Sequence, residues 1–215
     1  MQSFLDVFLH LDRHLEAFLS AHGLWVLALL FVVIFCETGL IVTPFLPGDS
    51  LLFAVGSLAN THSQVLSVWM TMLLVFLAAT LGDAFNFTTS RRLGDRFLAW
   101  DKGRWVKPKH LERTHDFYER HGGRAVILAR FAPILRTYVP FVAGVAHMAP
   151  RKFLSFNIVG AALWTTTIIG LGYAFGSVPV VKQHFELVVL GIVVISLVPV
   201  AWTALRPGRP KQASA

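Results

Sequence analysis

The chain has 215 residues, of which 55% are hydrophobic and only 14% charged, with a mean hydropathy of +0.62. Soluble domains carry about 25% charged residues, so an ordinary soluble domain is excluded and one domain with several membrane segments is indicated. The net charge of +7 does not indicate nucleic acid, because ten of the 19 Lys and Arg residues lie between Arg91 and Arg124, interleaved with acids. A cytoplasmic loop that faces anionic lipid explains this distribution better.

Residues 1–22 are predicted to form an amphipathic helix that lies in the membrane interface. Apolar residues recur on one helical face at Phe4, Phe8, Leu11, Leu15 and Phe18. The segment has no basic start and no small-residue cleavage site, so it is not interpreted as a cleaved signal peptide.

Residues 24–59 contain two apolar runs, 24–36 and 51–59, that are too short to span a membrane, since a span needs about 20 residues. Helix-breaking residues separate the runs: Gly39, Pro44, Pro47 and Gly48. Two half-length helices around such a break predict a re-entrant hairpin, which enters the membrane and returns to the same side.

Residues 124–150 repeat this pattern and carry Arg130 and Arg136 in an otherwise apolar stretch. The helix breaks predicted in this second hairpin are Pro133, Pro140 and Gly144. Charge in lipid is costly, so intramembrane charges usually serve a function, and broken backbone at membrane depth needs protein or water around it. The segment therefore predicts a polar site with two guanidinium groups placed for an anion.

Three segments are long enough to span the membrane: residues 65–89, 153–176 and 186–205. A basic linker, residues 90–123, and a basic tail, residues 206–215, are placed in the cytoplasm by the Lys/Arg bias. The first hairpin then enters from the outer face and the second from the cytoplasm. The predicted fold is an all-α integral membrane protein built as an inverted repeat, which places a substrate site near the midplane where broken helices meet.

Glu37 and Asp49 lie on the first hairpin and would face Arg130 and Arg136 if the hairpin tips meet. One interpretation is a structural set of ion pairs that joins the repeats. In the preferred interpretation the arginines bind a phosphate or carboxylate, for which the planar guanidinium is suited. The acids then compete with the anion, and protonating an acid frees an arginine, which provides a route to proton coupling.

Asp83 and Asn157 are candidate accessory residues. Asp83 could instead reach water or pair with Arg91 or Arg92, and polar residues such as Asn157 more often join helices than touch substrate. The nine histidines form no strong metal pattern, and no phosphate-binding loop or Ser/His/Asp grouping is evident. We therefore expect no metal, no cofactor and no catalytic residue.

The combined pattern resembles the DedA family of membrane proteins, also described as the SNARE-associated or VTT-domain group. The resemblance covers roughly residues 25–175 and rests on these elements: Glu37-Thr-Gly39, Pro44-Phe-Leu-Pro47-Gly48-Asp49, Gly82-Asp83, Arg130-Phe-x-Pro133-x-x-Arg136-x-x-x-Pro140-x-x-Ala143-Gly144, Met148, Phe153, Asn157, Gly160 and Trp164. The chain departs from the family pattern at Asp49, which is often Glu, at Phe87 and Ser90, which are often Tyr and Gly, and at Ala129, which is commonly Gly. These departures concern fine specificity.

The resemblance implies opposed re-entrant hairpins in a bacterial inner-membrane protein whose envelope role is linked to the proton motive force. Some members are implicated in returning undecaprenyl phosphate across the inner membrane, and eukaryotic relatives are phospholipid scramblases. The family's functional acids and arginines carry over onto Glu37, Asp49, Arg130 and Arg136. The expected partners are protons and a phosphorylated polyprenyl lipid or phospholipid, and the expected class is a transporter rather than an enzyme.

Two alternatives stay open from the residues alone. A proton-coupled exporter of small cationic or amphipathic solutes would use the acids as substrate ligands and the arginines as their counter-ions. The second alternative is an unselective phospholipid scramblase. An enzyme acting on lipid phosphate would need a nucleophile or a metal near the arginines, and the sequence indicates neither.

Overall fold

The computed structural model describes residues 23, 25–40, 48–61, 66–101 and 123–175, with positions 178, 179, 181 and 191. The described residues form six helices: α1 (Trp25–Gly39), α2 (Gly48–Thr61), α3 (Val68–Asp101), α4 (Arg124–Ala129), α5 (Pro133–Val145) and α6 (Pro150–Phe175). No strand occurs among them, which confirms the all-α class for this part of the chain. Several predicted features lie outside the described residues: the interfacial helix, Pro44, Pro47, residues 102–122 of the basic linker, nearly all of the third span and the basic tail.

Two of the helices are long and apolar enough to cross a membrane. They cover Val68–Leu93 and Pro150–Phe175, with mean hydropathies of 1.8 and 1.6. At about 1.5 Å per residue, each 26-residue stretch is longer than the roughly 30 Å hydrocarbon core. One face of α3 leaves apolar side chains exposed at four-residue intervals, namely Trp69, Leu73, Leu77, Leu81 and Phe85. Such a face suits contact with lipid.

Helix α3 continues beyond the predicted end of its span. The sequence predicts a span over residues 65–89, and the helix that contains most of it runs on through Arg91 and Arg92 to Asp101. Residues 90–101 contain no proline, and arginine is a good helix former, so nothing local ends the helix where its apolar character ends.

The other four helices are too short to span: α1, α2, α4 and α5 have 15, 14, 6 and 13 residues. The chain turns at residues 130–132 between α4 and α5, and Pro133 opens α5 at a position where no backbone N–H is needed. Pro140 does not break the helix, contrary to the sequence-based prediction, because it lies inside α5, whereas Gly144 lies one residue before the end of that helix. Gly144 also permits close packing, since a Cβ there would lie 3.0 Å from the backbone nitrogen of Arg91 on α3.

The short helices pack between the two long ones in an exchanged arrangement. Helix α1 packs mainly on α3 and α2 on α6, whereas α4 packs on α6 and α5 on α3. Glycines allow two of these close approaches, Gly39 against Gly82 and Gly56 against Gly172. Each pair of short helices thus contacts both long helices, which brings polar residues from five of the helices and from the turn after α4 to one buried region.

Candidate functional site

Arg136 joins the first pair of short helices to α5. Its Nη2 donates to Oε1 of Glu37, in the last turn of α1, and its Nη1 lies 2.9 Å from Oδ1 of Asp49, the second residue of α2. The Arg136 and Glu37 side chains are buried, whereas the Asp49 side chain is 17% exposed. The guanidinium therefore uses both terminal nitrogens to hold carboxylates from two different helices.

The Glu37 carboxylate lies against Gly48, the first residue of α2. A Cβ at position 48 would overlap the Glu37 carboxylate, so glycine leaves the room that this side chain occupies. The amino end of a helix attracts negative charge, and α2 places both Glu37 and Asp49 at that end. Gly48, predicted only as a helix break, also shapes the acid site.

Arg130 makes a separate set of contacts from the turn after α4. Its Nη2 donates to Oδ2 of Asp83 on α3 and, at 2.6 Å, to Oδ1 of Asn157 on α6. Asn157 is fixed in turn, because its Nδ2 donates to the carbonyl oxygen of Thr80 at 3.1 Å. Asp83 is buried and pairs with Arg130, while Arg91 donates to the carbonyl of Met148 at 2.6 Å. One sequence-based alternative was that Asp83 reaches water, and its burial shows that it does not.

Trp164 lies between the two arginines. Its indole Nε1 donates to Oδ1 of Asp49 at 3.0 Å. The ring centroid lies 5.6 Å from Cζ of Arg136 and 5.9 Å from Cζ of Arg130, within the range of a cation–π interaction. Sequence reasoning did not select Trp164 as a site residue. The signal that could have found it is its position seven residues after Asn157, which places both on one face of α6.

Asn86 is a second polar residue that the sequence did not single out. Its Nδ2 donates to the carbonyl oxygens of Thr38 and Thr137, at 3.3 and 3.1 Å. One side chain on α3 thus bonds to the end of α1 and to the middle of α5. This contact fixes the two pairs of short helices relative to α3.

The cluster as a whole contains more acids than bases. Three carboxylates, from Glu37, Asp49 and Asp83, face two guanidinium groups, which leaves a formal charge of −1 when every group is ionised. The sequence predicted two acids against two arginines, because Asp83 was not assigned to the cluster. A buried net charge is expensive in a low-dielectric interior, so such a cluster favours the uptake of a proton or a cation.

Both arginines keep an unpaired donor. Among the described residues, the Nε groups of Arg130 and Arg136 are buried without a hydrogen-bond partner. A buried unpaired donor costs about 1–3 kcal/mol. Each arginine can therefore donate to an additional anionic oxygen without losing every existing bond. No group of three or more His, Cys, Asp or Glu side chains suited to a metal ion occurs in the part of the chain that the structure describes.

These features define the class of protein: a helical membrane protein with a buried cluster of carboxylates and arginines at the meeting point of short and long helices.

Comparison with known proteins identifies the family. The VTT domain matches residues 46–174. The chain is 46% identical to Protein DedA of Escherichia coli (strain K12) over 195 residues. This match covers 91% of this chain and 89% of that protein. The chain therefore belongs to the VTT-domain family that includes Protein DedA, as the sequence resemblance predicted.

Other relatives carry names that place them in a membrane. An uncharacterized membrane protein of Mycobacterium leprae is 39% identical over 178 residues, covering 81% of this chain and 79% of that protein. Inner membrane protein YghB of Salmonella typhimurium is 32% identical over 166 residues, covering 77% of this chain and 75% of that protein. These names support a membrane location for this chain. No solved structure matches it.

Proposed function

We propose that the chain is a multi-pass transporter of the bacterial inner membrane that moves a lipid phosphate across the bilayer, with undecaprenyl phosphate as its foremost substrate. Transport is linked to the proton motive force and supports envelope biogenesis. The observation that carries this proposal is the pairing of Arg136: both of its terminal nitrogens hold ionisable carboxylates, while its Nε has no partner.

Phosphate and the carboxylates compete for the same guanidinium group. While Glu37 and Asp49 are ionised, the terminal nitrogens of Arg136 are occupied. Protonation removes the negative charge that holds each acid to the arginine. Two phosphate oxygens then accept from Nη2, which Glu37 has released, and from Nε, which gives the two parallel bonds that an arginine prefers to make with phosphate.

The charge of the cluster requires protons to accompany the phosphate. A phosphate monoester carries about −1.5 to −2 charges at neutral pH. Adding it to a buried cluster that already has an excess carboxylate is unfavourable unless acids are neutralised at the same time. Asp49 is the member of the cluster that water reaches most easily. Its side chain is 17% exposed, whereas the other acids and the two arginines are at most 5% exposed. Protons therefore enter the cluster at Asp49.

The lipid tail does not have to cross the protein. The prenyl chain stays in the bilayer while the head group passes through the cluster, so no pore as wide as the whole lipid is required. The chain thus acts as a transporter, and the arginines bind the head group without breaking a bond in it.

The packing of the helices supports an inverted repeat with two re-entrant hairpins. The contact of α1 with α3 is repeated by that of α4 with α6, and the contact of α2 with α6 is repeated by that of α5 with α3. An inverted repeat produces this exchange, and the short lengths of α1, α2, α4 and α5 suit hairpins that enter and return. With the Lys/Arg bias, the second hairpin enters from the cytoplasm and the C-terminus is cytoplasmic.

One further candidate has an observation in its favour. The excess of carboxylates over arginines would also attract a positively charged solute. A proton-coupled exporter of small cations would exchange such a solute for protons at Glu37, Asp49 or Asp83.

Flux measurements in liposomes separate these functions. The purified chain is reconstituted with labelled undecaprenyl phosphate, phosphatidylglycerol or phosphatidylethanolamine, or with a cationic dye, with and without a pH gradient. We expect gradient-dependent movement of the lipid phosphate alone, and its loss in Arg136→Ala. Gradient-independent movement of all lipids would identify a scramblase, and dye flux without lipid movement would identify the exporter.

A further inference from the structure

We propose that Trp164 is a positioning residue that controls how readily Arg136 is released to the phosphate. Its indole N–H holds Asp49 on Arg136, and its ring holds the guanidinium in place after Asp49 has left. This inference rests on the proposed function and adds a residue to its mechanism.

The hydrogen bond from Trp164 fixes one oxygen of Asp49. Oδ1 accepts from Trp164 Nε1 at 3.0 Å and from Arg136 Nη1 at 2.9 Å. The indole N–H can only donate, and its bond is stronger while the acceptor is charged. The indole therefore stabilises the arrangement in which Asp49 occupies Arg136, and it opposes the exchange of Asp49 for a phosphate oxygen.

The ring has the opposite effect on the arginines. It lies within 6 Å of both guanidinium carbons, Arg136 at 5.6 Å and Arg130 at 5.9 Å. Trp164 is 1% exposed and packs in the core between the helices, so its own position does not depend on Asp49. A cation–π contact survives protonation of the acids. It therefore keeps a guanidinium in position when the carboxylate is exchanged for phosphate.

The backbone of α6 adds to this arrangement. Gly160, one turn before Trp164, lies beside the Arg130 side chain, and a Cβ there would be 3.3 Å from Arg130 Cδ. Asn157, nearly one turn earlier, binds the Arg130 guanidinium. One face of α6 thus contacts both arginines. From that face, Trp164 also donates to Asp49 of α2.

Two substitutions separate the effect of the indole N–H on binding from the effect of the ring. Trp164→Phe removes the N–H and keeps an aromatic face, so lipid phosphate binds about tenfold to a hundredfold more tightly, as expected for the loss of one competing hydrogen bond to a charged group. Its turnover in the presence of a pH gradient falls, because Asp49 no longer returns to Arg136 as readily. Trp164→Leu removes the aromatic face as well as the N–H, so its binding is weaker than that of Trp164→Phe.

The test uses the full chain in detergent and farnesyl phosphate as the probe, with binding measured by isothermal titration calorimetry. The same substitution is also made in an Asp49→Ala background, where the acceptor is absent. We expect tighter binding in Trp164→Phe alone and no further effect of that change in Asp49→Ala. If Trp164→Phe fails to fold, incorporation of 3-benzothienylalanine at position 164 replaces the N–H by sulfur and keeps the bicyclic ring.

The outcomes distinguish this inference from the function on which it rests. Binding by Trp164→Phe that equals or falls below that of the wild type, or an equal effect in both backgrounds, would overturn the role of Trp164 and leave the transporter proposal intact. Failure of the folded wild type to bind farnesyl phosphate would overturn the proposed function, and the role of Trp164 with it.

Discussion

Arg130 and Asp83 form a buried ion pair that ties the turn between α4 and α5 to the long helix α3. Arg136, six residues later, bonds instead to the acids of α1 and α2. The two arginines therefore attach the second pair of short helices to different parts of the protein. Because the proposed transport exchanges the partners of Arg136 for the substrate, we expect the pair of Arg130 and Asp83 to contribute more to the stability of the resting fold.

Removing Asp83 tests this difference. Asp83→Ala leaves the Arg130 guanidinium buried beside a neutral neighbour, which we expect to cost about 3–5 kcal/mol. At roughly 2–4 °C per kcal/mol for a chain of this size, the apparent melting temperature in detergent falls by about 6–20 °C. The double variant Asp83→Ala, Arg130→Met removes both charges and recovers part of the loss, whereas Thr88→Ala, at an exposed position on α3, has little effect. A wild-type melting temperature for Asp83→Ala would show that the pair does not stabilise the fold.

Replacing Arg136 by lysine tests the requirement for a planar guanidinium. A lysine keeps the charge, but its ammonium group cannot hold the carboxylates of Glu37 and Asp49 in the fixed geometry of two terminal nitrogens. We expect lipid-phosphate flux in Arg136→Lys to fall by at least about tenfold, equivalent to roughly 1.4 kcal/mol. Arg124→Lys, at an exposed position at the start of α4, is the matched control and retains flux. Full flux in both variants would favour a structural set of ion pairs over a binding site.

Two glycine substitutions test the close approach of α1 to α3. A Cβ at Gly82 would lie 3.0 Å from the carbonyl oxygen of Phe35 and 3.2 Å from the nitrogen of Gly39, so Gly82→Ala forces these helices apart. We expect it to destabilise the protein by about 1–3 kcal/mol. Gly170 lies in α6, and among the described residues no atom of another part of the chain lies within 4 Å of a Cβ at this position, so Gly170→Ala should be neutral or stabilising by about 0.5–1 kcal/mol. Equal melting temperatures for the two variants would contradict the packing described for α1 and α3.

The sequence predicted the positions of the short helices well, because Gly39, Gly48 and Pro133 lie at the ends of α1, α2 and α5. It predicted one break that the structure does not have, since Pro140 lies inside α5. A proline or glycine that is buried against another helix is kept helical by packing, and that packing depends on contacts distant in sequence. The length of α3 beyond its span could not be predicted, because hydropathy marks where the membrane ends, which need not be where the helix ends.

The members of the cluster were predicted better than their pairing. Intramembrane charge identified Glu37, Asp49, Arg130 and Arg136, but it could not assign Asp83 to Arg130. That pairing depends on the rotation of α3 against α4, which no local pattern encodes. Trp164 was overlooked because a tryptophan in an apolar helix is usually a core or interface residue. The role proposed for Trp164 depends on Asp49 of α2, which accepts a hydrogen bond from its indole N–H.

Cysteine labelling tests the hairpins. In a re-entrant hairpin both ends lie on one side of the membrane, whereas in a span they lie on opposite sides. Trp25 and Thr61 are the exposed ends of the first pair of short helices. Arg124 begins the second pair, and His147 is exposed two residues after its end. In a Cys36→Ser background, we expect an impermeant thiol reagent to label cysteines at positions 25 and 61 from the outer side only, and at 124 and 147 from the cytoplasmic side only.

Labelling of positions 25 and 61 from opposite sides would mean that α1 and α2 together cross the membrane, and the inverted repeat would be wrong. Thr88→Cys, on an exposed part of α3, reports the background labelling of a span.

The acids of the first hairpin provide the test of proton coupling. Glu37→Gln and Asp49→Asn each mimic the protonated side chain, which holds Arg136 less strongly than a carboxylate does. We expect lipid-phosphate binding to be retained or tightened in both variants, because the arginine is released. Net flux should no longer respond to an imposed pH gradient, since the variants cannot take up and release a proton at that position.

Binding and liposome flux are compared at several pH values for the wild type, each variant and the exposed-site control Arg124→Lys. Equal sensitivity to the gradient in the wild type and both variants would remove Glu37 and Asp49 from the coupling mechanism. It would leave these acids as structural partners of Arg136, with Asp83 as the remaining acid of the described cluster that could carry the proton.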